Sequence, residues 1–105
     1  MRITSYLENG NLTIELMGEI DHHTAKNFIA TIERKMEAYN PHTCILDFSG
    51  VTFMDSSGIA VVIHTFRHMT KLSGKMYVTN LQEQPLKVFR ASGMDKMIEL
   101  KEVFN

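Results

Sequence analysis

Cys44-Ile45-Leu46-Asp47-Phe48, continued by Val51-Thr52-Phe53-Met54 and then Asp55-Ser56-Ser57-Gly58, is the stretch that decides how this chain folds. Its first run is apolar except for Asp47, the pattern of a strand covered on both faces. Val51 to Met54 carries that strand toward a loop of small polar residues. Behind the loop, Ile59, Val62, Ile63, Phe66 and Met69 recur at the helical period, and the pattern ends near Ser73-Gly74. A strand that turns through a short loop into a helix is half of a crossover unit. The next strand, Lys75 to Thr79, completes it.

Toward the N-terminus, Ile3, Ser5 and Leu7 alternate with Thr4, Tyr6 and Glu8, and Leu12, Ile14 and Leu16 alternate with Thr13, Glu15 and Met17. Both segments have the strand period of two. Asn9-Gly10 between them suits the positive φ angles of a tight hairpin turn. Gly18 ends the second strand. Ala25, Phe28, Ile29, Ile32, Met36 and Tyr39 then fall on one face of a helix that Asp21 or Thr24 can cap and Asn40-Pro41 stops.

Toward the C-terminus, Pro85 suits the first turn of a third, shorter helix with Leu86 and Phe89 facing inward, ended by Ser92-Gly93. Lys96 to Leu100 fits an edge strand or a last short helix equally. The order predicts a single α/β domain over residues 1–105: an N-terminal β-hairpin, then βα units, giving a mixed sheet of four to five strands with helices packed against it. In such sheets, sites form in loops at the carboxyl ends of strands, and the loop from Met54 to Gly58 is one of these.

Composition narrows the function classes. With 11 basic and 12 acidic side chains the net charge is −1, so nothing builds the positive field of nonspecific nucleic-acid binding. No run approaches the roughly 18 apolar residues of a membrane span. Met1 to Tyr6 lacks the apolar centre of a signal peptide. A cytoplasmic protein with no membrane partner is the expectation. The one cysteine, Cys44, forms no internal disulfide and reads as a small core hydrophobe. The eight methionines read as core filling, with Met94 also considered for a contact surface. No Gly-rich loop with a Lys suggests a nucleotide site.

Ser56 and Ser57 lie where the second helix begins, so either suits its N-cap. Unpaired amides and the helix dipole favour negative charge there. A phosphate would gain about 0.3–1 kcal/mol from the dipole, opposed by the neighbouring Asp55. By local chemistry alone the segment is a helix cap. A hydrolase elbow would need Gly two residues before the serine, where Met54 stands. His64 and His68, at i, i+4 on the helix, read as solvated surface residues rather than members of a triad. His22-His23 precede a helix without a carboxylate or thiol set to complete a metal site. The expectation is no catalysis, no cofactor and no metal.

Taken together, Gly18-Glu19-Ile20-Asp21-His22-His23-Thr24-Ala25 and Phe53-Met54-Asp55-Ser56-Ser57-Gly58-Ile59 resemble the two signature segments of STAS-domain anti-sigma-factor antagonists, and their spacing and element order match as well. Asp-His-His-Thr-Ala is most similar to the sporulation branch, which acts on the forespore sigma factor. The resemblance implies that Ser56, directly after the aspartate, is a phosphorylation site. Asp55, Ser57, Gly58 and Ile59 complete the matched loop, and Asp21 matches an acidic position near the partner-binding surface. It implies two partners, a serine-kinase anti-sigma factor and a serine phosphatase. The hairpin edge could pair with a second copy, but for a domain that must present one loop to a partner a monomer when free is the simpler expectation. A STAS adaptor in a stress-signalling or transporter complex, without phosphorylation, is the alternative. The chain stops soon after Phe104, and the expectation is that it lacks some of the C-terminal helix of longer relatives.

Overall fold

The computed structural model describes residues 1–101; the C-terminal end around Phe104 lies outside them. Arg2–Glu8 (β1) and Asn11–Met17 (β2) form the hairpin, turned by Asn9 and Gly10, both at positive φ. Ala25–Tyr39 (α1) leads to Thr43–Gly50 (β3), Ser56–Lys71 (α2), Lys75–Thr79 (β4), Glu83–Ala91 (α3), a 3-10 turn at Met94–Lys96 and Glu99–Lys101 (β5). Of the segment left undecided by its pattern, Glu99 and Leu100 join the edge strand, while only Lys96 belongs to the 3-10 turn that precedes it.

Among the described residues the sheet has five strands in the order β1-β2-β3-β4-β5. The hairpin is antiparallel and the other pairs are parallel. Because the parallel strands are laid down in sequence, right-handed crossovers put the helices on one face. Register confirms which residues look that way. Leu12 pairs with Cys44 and Ile14 with Leu46; Cys44 and Leu46 pair in turn with Met76 and Val78. All six are buried, and Phe28, Ile32 and Met36 of α1 and Val61, Val62 and Met69 of α2 close over them. The intervening Ile45, Asp47 and Tyr77 are only half-buried. This corrects the expectation that β3 is covered on both faces. Ile45 supplied the continuous apolar look from the open face.

Burial sorts other expectations. Tyr39 is exposed, so the α1 stripe ends at Met36, and Asn40 at positive φ closes the helix with its N–H donated to Met36 O. Met94 is buried and belongs to the core rather than to a contact surface. Cys44 is buried too, and burial pushes its thiol up to about 12, which leaves it protonated and inert at neutral pH.

Candidate functional site

β3 ends at Gly50, and Val51 to Asp55 does not continue it as a strand. A side chain at Gly50 would run into that of Met17, and the chain tightens at once, Val51 N–H donating to Phe48 O. One bridge restores order at Met54, which pairs in parallel with Ile20. Ile20 N–H donates to Phe53 O at 3.0 Å, and Asp55 N–H donates to Ile20 O at 3.1 Å. The two segments singled out in the sequence, around Asp21 and around Ser56, are thereby stitched side by side.

Asp55 is the N-cap of α2. Its backbone is extended (φ −98°, ψ −165°) and its Oδ1 accepts from Ser57 N–H at 2.7 Å. This corrects the assignment of the cap to Ser56 or Ser57. Both serines already lie inside the helix, so only Asp55 retains the extended backbone that a cap requires. Ser56 is exposed at the first helical position, Ser57 half-buried at the second. Asp55→Ala should therefore cost about 1 kcal/mol, whereas Ser57→Ala should cost almost nothing. Urea unfolding of the two variants checks this, and a larger loss for Ser57→Ala would return the cap to the serine.

Gly58 and Ile59 are buried beneath the loop. What the loop offers to solvent is made by Ser56 with the half-buried Asp55 and Ser57, flanked by the exposed Thr52 and by Phe53, which is 42% exposed. The sequence alone does not single out Phe53. In an alternating stretch, nothing in the letters says whether Phe53 or Met54 turns inward.

Asp21 holds the turn that leads into α1. Its Oδ1 accepts from His23 N–H at 2.9 Å, Thr24 N–H at 3.0 Å and Thr24 Oγ1 at 3.3 Å, while Asp21 N–H donates to Thr24 Oγ1. Thr24 occupies the N-cap position but makes no side-chain cap bond, so the capping work falls to Asp21. The amide of Thr24, then that of His23, holds the Asp21 carboxyl below the ordinary Asp range. A depressed folded-state pKa stabilises the fold above the unfolded value, near pH 4. That stabilisation is lost as pH falls through the folded value. The stability advantage of wild type over Asp21→Asn should hold at neutral pH and fade in acid. An advantage unchanged at pH 2 would contradict this origin.

His64 is directed away from the loop that carries Ser56 and toward α1. His64 lies eight residues further along α2, roughly 12 Å by helical rise, and its Nδ1 faces Glu33 of α1 at 3.9 Å. The His22 and His23 rings lie against each other, centroids 3.9 Å apart. Among the described residues no group of three His, Cys, Asp or Glu side chains is placed to hold a metal, and no helix is long and apolar enough to cross a membrane.

The chain belongs to the STAS domain family, which it matches over residues 2–105. Within that family it is an anti-sigma-factor antagonist of the SpoIIAA type, a binding protein rather than an enzyme. It is 32% identical over 83 residues to an anti-sigma F factor antagonist from Lysinibacillus sphaericus, covering 79% of this chain and 71% of that protein. The unphosphorylated form of the antagonist SpoIIAA superposes with a TM-score of 0.83 at 26% identity, over 99% of this chain and 90% of that one. The phosphorylated form of the Bacillus cell fate determinant SpoIIAA gives 0.75 at 26% identity, over 99% and 93%.

Proposed function

We infer that the protein is a cytoplasmic partner switch controlled by phosphorylation of Ser56. Unphosphorylated, it binds a serine-kinase anti-sigma factor and frees the sigma factor that the kinase held. The kinase transfers the γ-phosphoryl group of ATP to Ser56 Oγ, and the modified antagonist leaves. A serine phosphatase restores it. The observation that carries this reading is the exposure of Ser56 at the first position of α2, beside the less accessible Ser57, in a loop held by its bridge to Ile20. The similarity to relatives described in both phosphorylation states supports it. The Asp-His-His-Thr-Ala segment points to the forespore sigma factor of sporulation as the one released.

In this reading Asp55, Ser56, Ser57 and the neighbouring Asp21 segment form the contact surface, and the protein is monomeric when free. Gly58 and Ile59 contribute from below by shaping the loop. Incubation with Mg-ATP and the cognate kinase, followed by phosphosite mapping, tests it. One phosphoryl group on Ser56, absent without kinase, is the expected result. No label from a kinase shown to be active would leave a STAS-type adaptor in its place.

A further inference from the structure

β4 is shorter than β3. Its last pairing is Thr79 with Asp47, so the segment from Phe48 to Asp55 passes beyond it with no strand alongside on that side. Two side chains, Gln82 from the connection to α3 and Gln84 from its first turn, take the place of the missing strand, and Asn80 from the same connection ties the Asp47 side chain. Asn80 Nδ2 donates to Asp47 Oδ1 at 3.2 Å and Gln82 Nε2 donates to Ser49 O at 2.7 Å. Gln84, at the second position of α3, makes the fullest substitution. Met54 N–H donates to Gln84 Oε1, and Gln84 Nε2 donates to Met54 O, both at 2.9 Å.

Met54 needs such a partner. In its parallel bridge with Ile20, the neighbouring Phe53 O and Asp55 N–H make the bonds to Ile20, so Met54's own N–H and C=O point the other way. The Met54 side chain is fully buried, and orphaned backbone groups there would be costly. A primary carboxamide carries one acceptor and one donor side by side, as a peptide group does. Gln has the reach. Glu ionised would keep the acceptor and lose the donor.

We propose that Gln84 is a positioning residue for the phosphorylation loop: its carboxamide stands in for a strand's peptide group, fixes Met54, and so sets where Asp55 caps α2 and where Ser56 Oγ is presented. This rests on Ser56 being the phosphoacceptor. It makes the register of Ser56 depend on α3, a helix 30 residues away in sequence from the loop it steadies.

The test uses the full chain with Gln84→Met, which keeps the volume and removes both bonds, and Gln84→Glu, which removes the donor. Two readouts are taken after near-ultraviolet circular dichroism shows both variants folded: hydrogen exchange of the Met54 amide, and kcat and KM for phosphorylation by the cognate kinase. Gln84→Met should lose about tenfold or more of the Met54 amide's protection. Its kcat should fall about tenfold with KM little changed, because the hydroxyl is misplaced while the docking surface remains. Gln84→Glu, keeping an acceptor for the Met54 amide, should lie between. Unchanged protection in Gln84→Met, or lost protection with kcat intact, overturns the proposal. Should the wild type take no phosphate from an active kinase, the phosphoswitch reading falls separately. The exchange result then decides the latch alone: protection lost in Gln84→Met supports it, and protection kept refutes it.

Discussion

Phosphorylation of Ser56 will weaken binding to the partner kinase by more than about a hundredfold, a loss of roughly 3 kcal/mol, while changing the stability of the free protein by less than about 1 kcal/mol. The asymmetry follows from where the serine sits. As the first helical residue of α2 it lies at the positive end of the dipole, which favours the roughly 1.5 to 2 added negative charges. Asp55, the cap, stands next to it and opposes them. Within the free protein the two effects offset, and no buried contact is broken because Ser56 is exposed. In a complex there is no such compensation. A contact surface centred on Ser56 must desolvate the phosphate or face it with partner groups suited to a hydroxyl.

Ser56→Asp, with a single charge, should lose roughly tenfold, and Ser56→Ala should bind like the unmodified protein and never be released. Isothermal titration of the four species against the kinase, alongside their thermal unfolding, measures both halves. Equal affinity of the serine and phosphoserine forms would remove the electrostatic switch. A phosphorylated form with a large stability change would mean that the modification acts by remodelling the loop instead.

How much of this was readable beforehand depended on whether the information was local. Asn9-Gly10 announced the hairpin because few other pairs tolerate two consecutive positive φ angles. The spacing of Phe28, Ile32 and Met36, and of Val62 and Met69, gave α1 and α2, since a buried stripe must repeat at the helical period. The cap of α2 was misplaced because Asp55, Ser56 and Ser57 are all capable caps. The choice is made by the residue at which the backbone turns helical, and the Ile20 bridge settles that by pinning Asp55 N–H. The one-sidedness of the sheet was hidden by Ile45, an apolar residue on the open face. Gln84 was invisible for a plainer reason. Its partner is the backbone of Met54, and a backbone group carries no signature in the letters.

Gly58→Ala, normally a stabilising change inside a helix, will destabilise this protein by about 1–3 kcal/mol, and the cause will be Met54. A Cβ placed on Gly58 would lie 2.6 Å from Met54 Sδ and 2.9 Å from Met54 Cβ. The second distance decides the sign, because a Cβ moves only with its backbone. The Met54 backbone is held by the Ile20 bridge on one side and by Gln84 on the other. Truncating Met54 should therefore lessen the effect without abolishing it. Met54→Ala alone will cost about 2–5 kcal/mol for the cavity it leaves. In that background Gly58→Ala no longer meets Sδ and Cγ, but the Cβ that stays at position 54 still stands 2.9 Å away. The second substitution should then cost less than it does in the wild type, a departure from additivity between two neighbours. Denaturant unfolding of the four proteins in the cycle measures it, and a Gly58→Ala cost that is the same in both backgrounds would show that the outer atoms of Met54 are not what the glycine avoids. Because Met54 directly precedes the cap, the clash also bears on function: the single Gly58→Ala variant, pressing on Met54, should present Ser56 out of place and accept phosphate more slowly even at temperatures where it is fully folded.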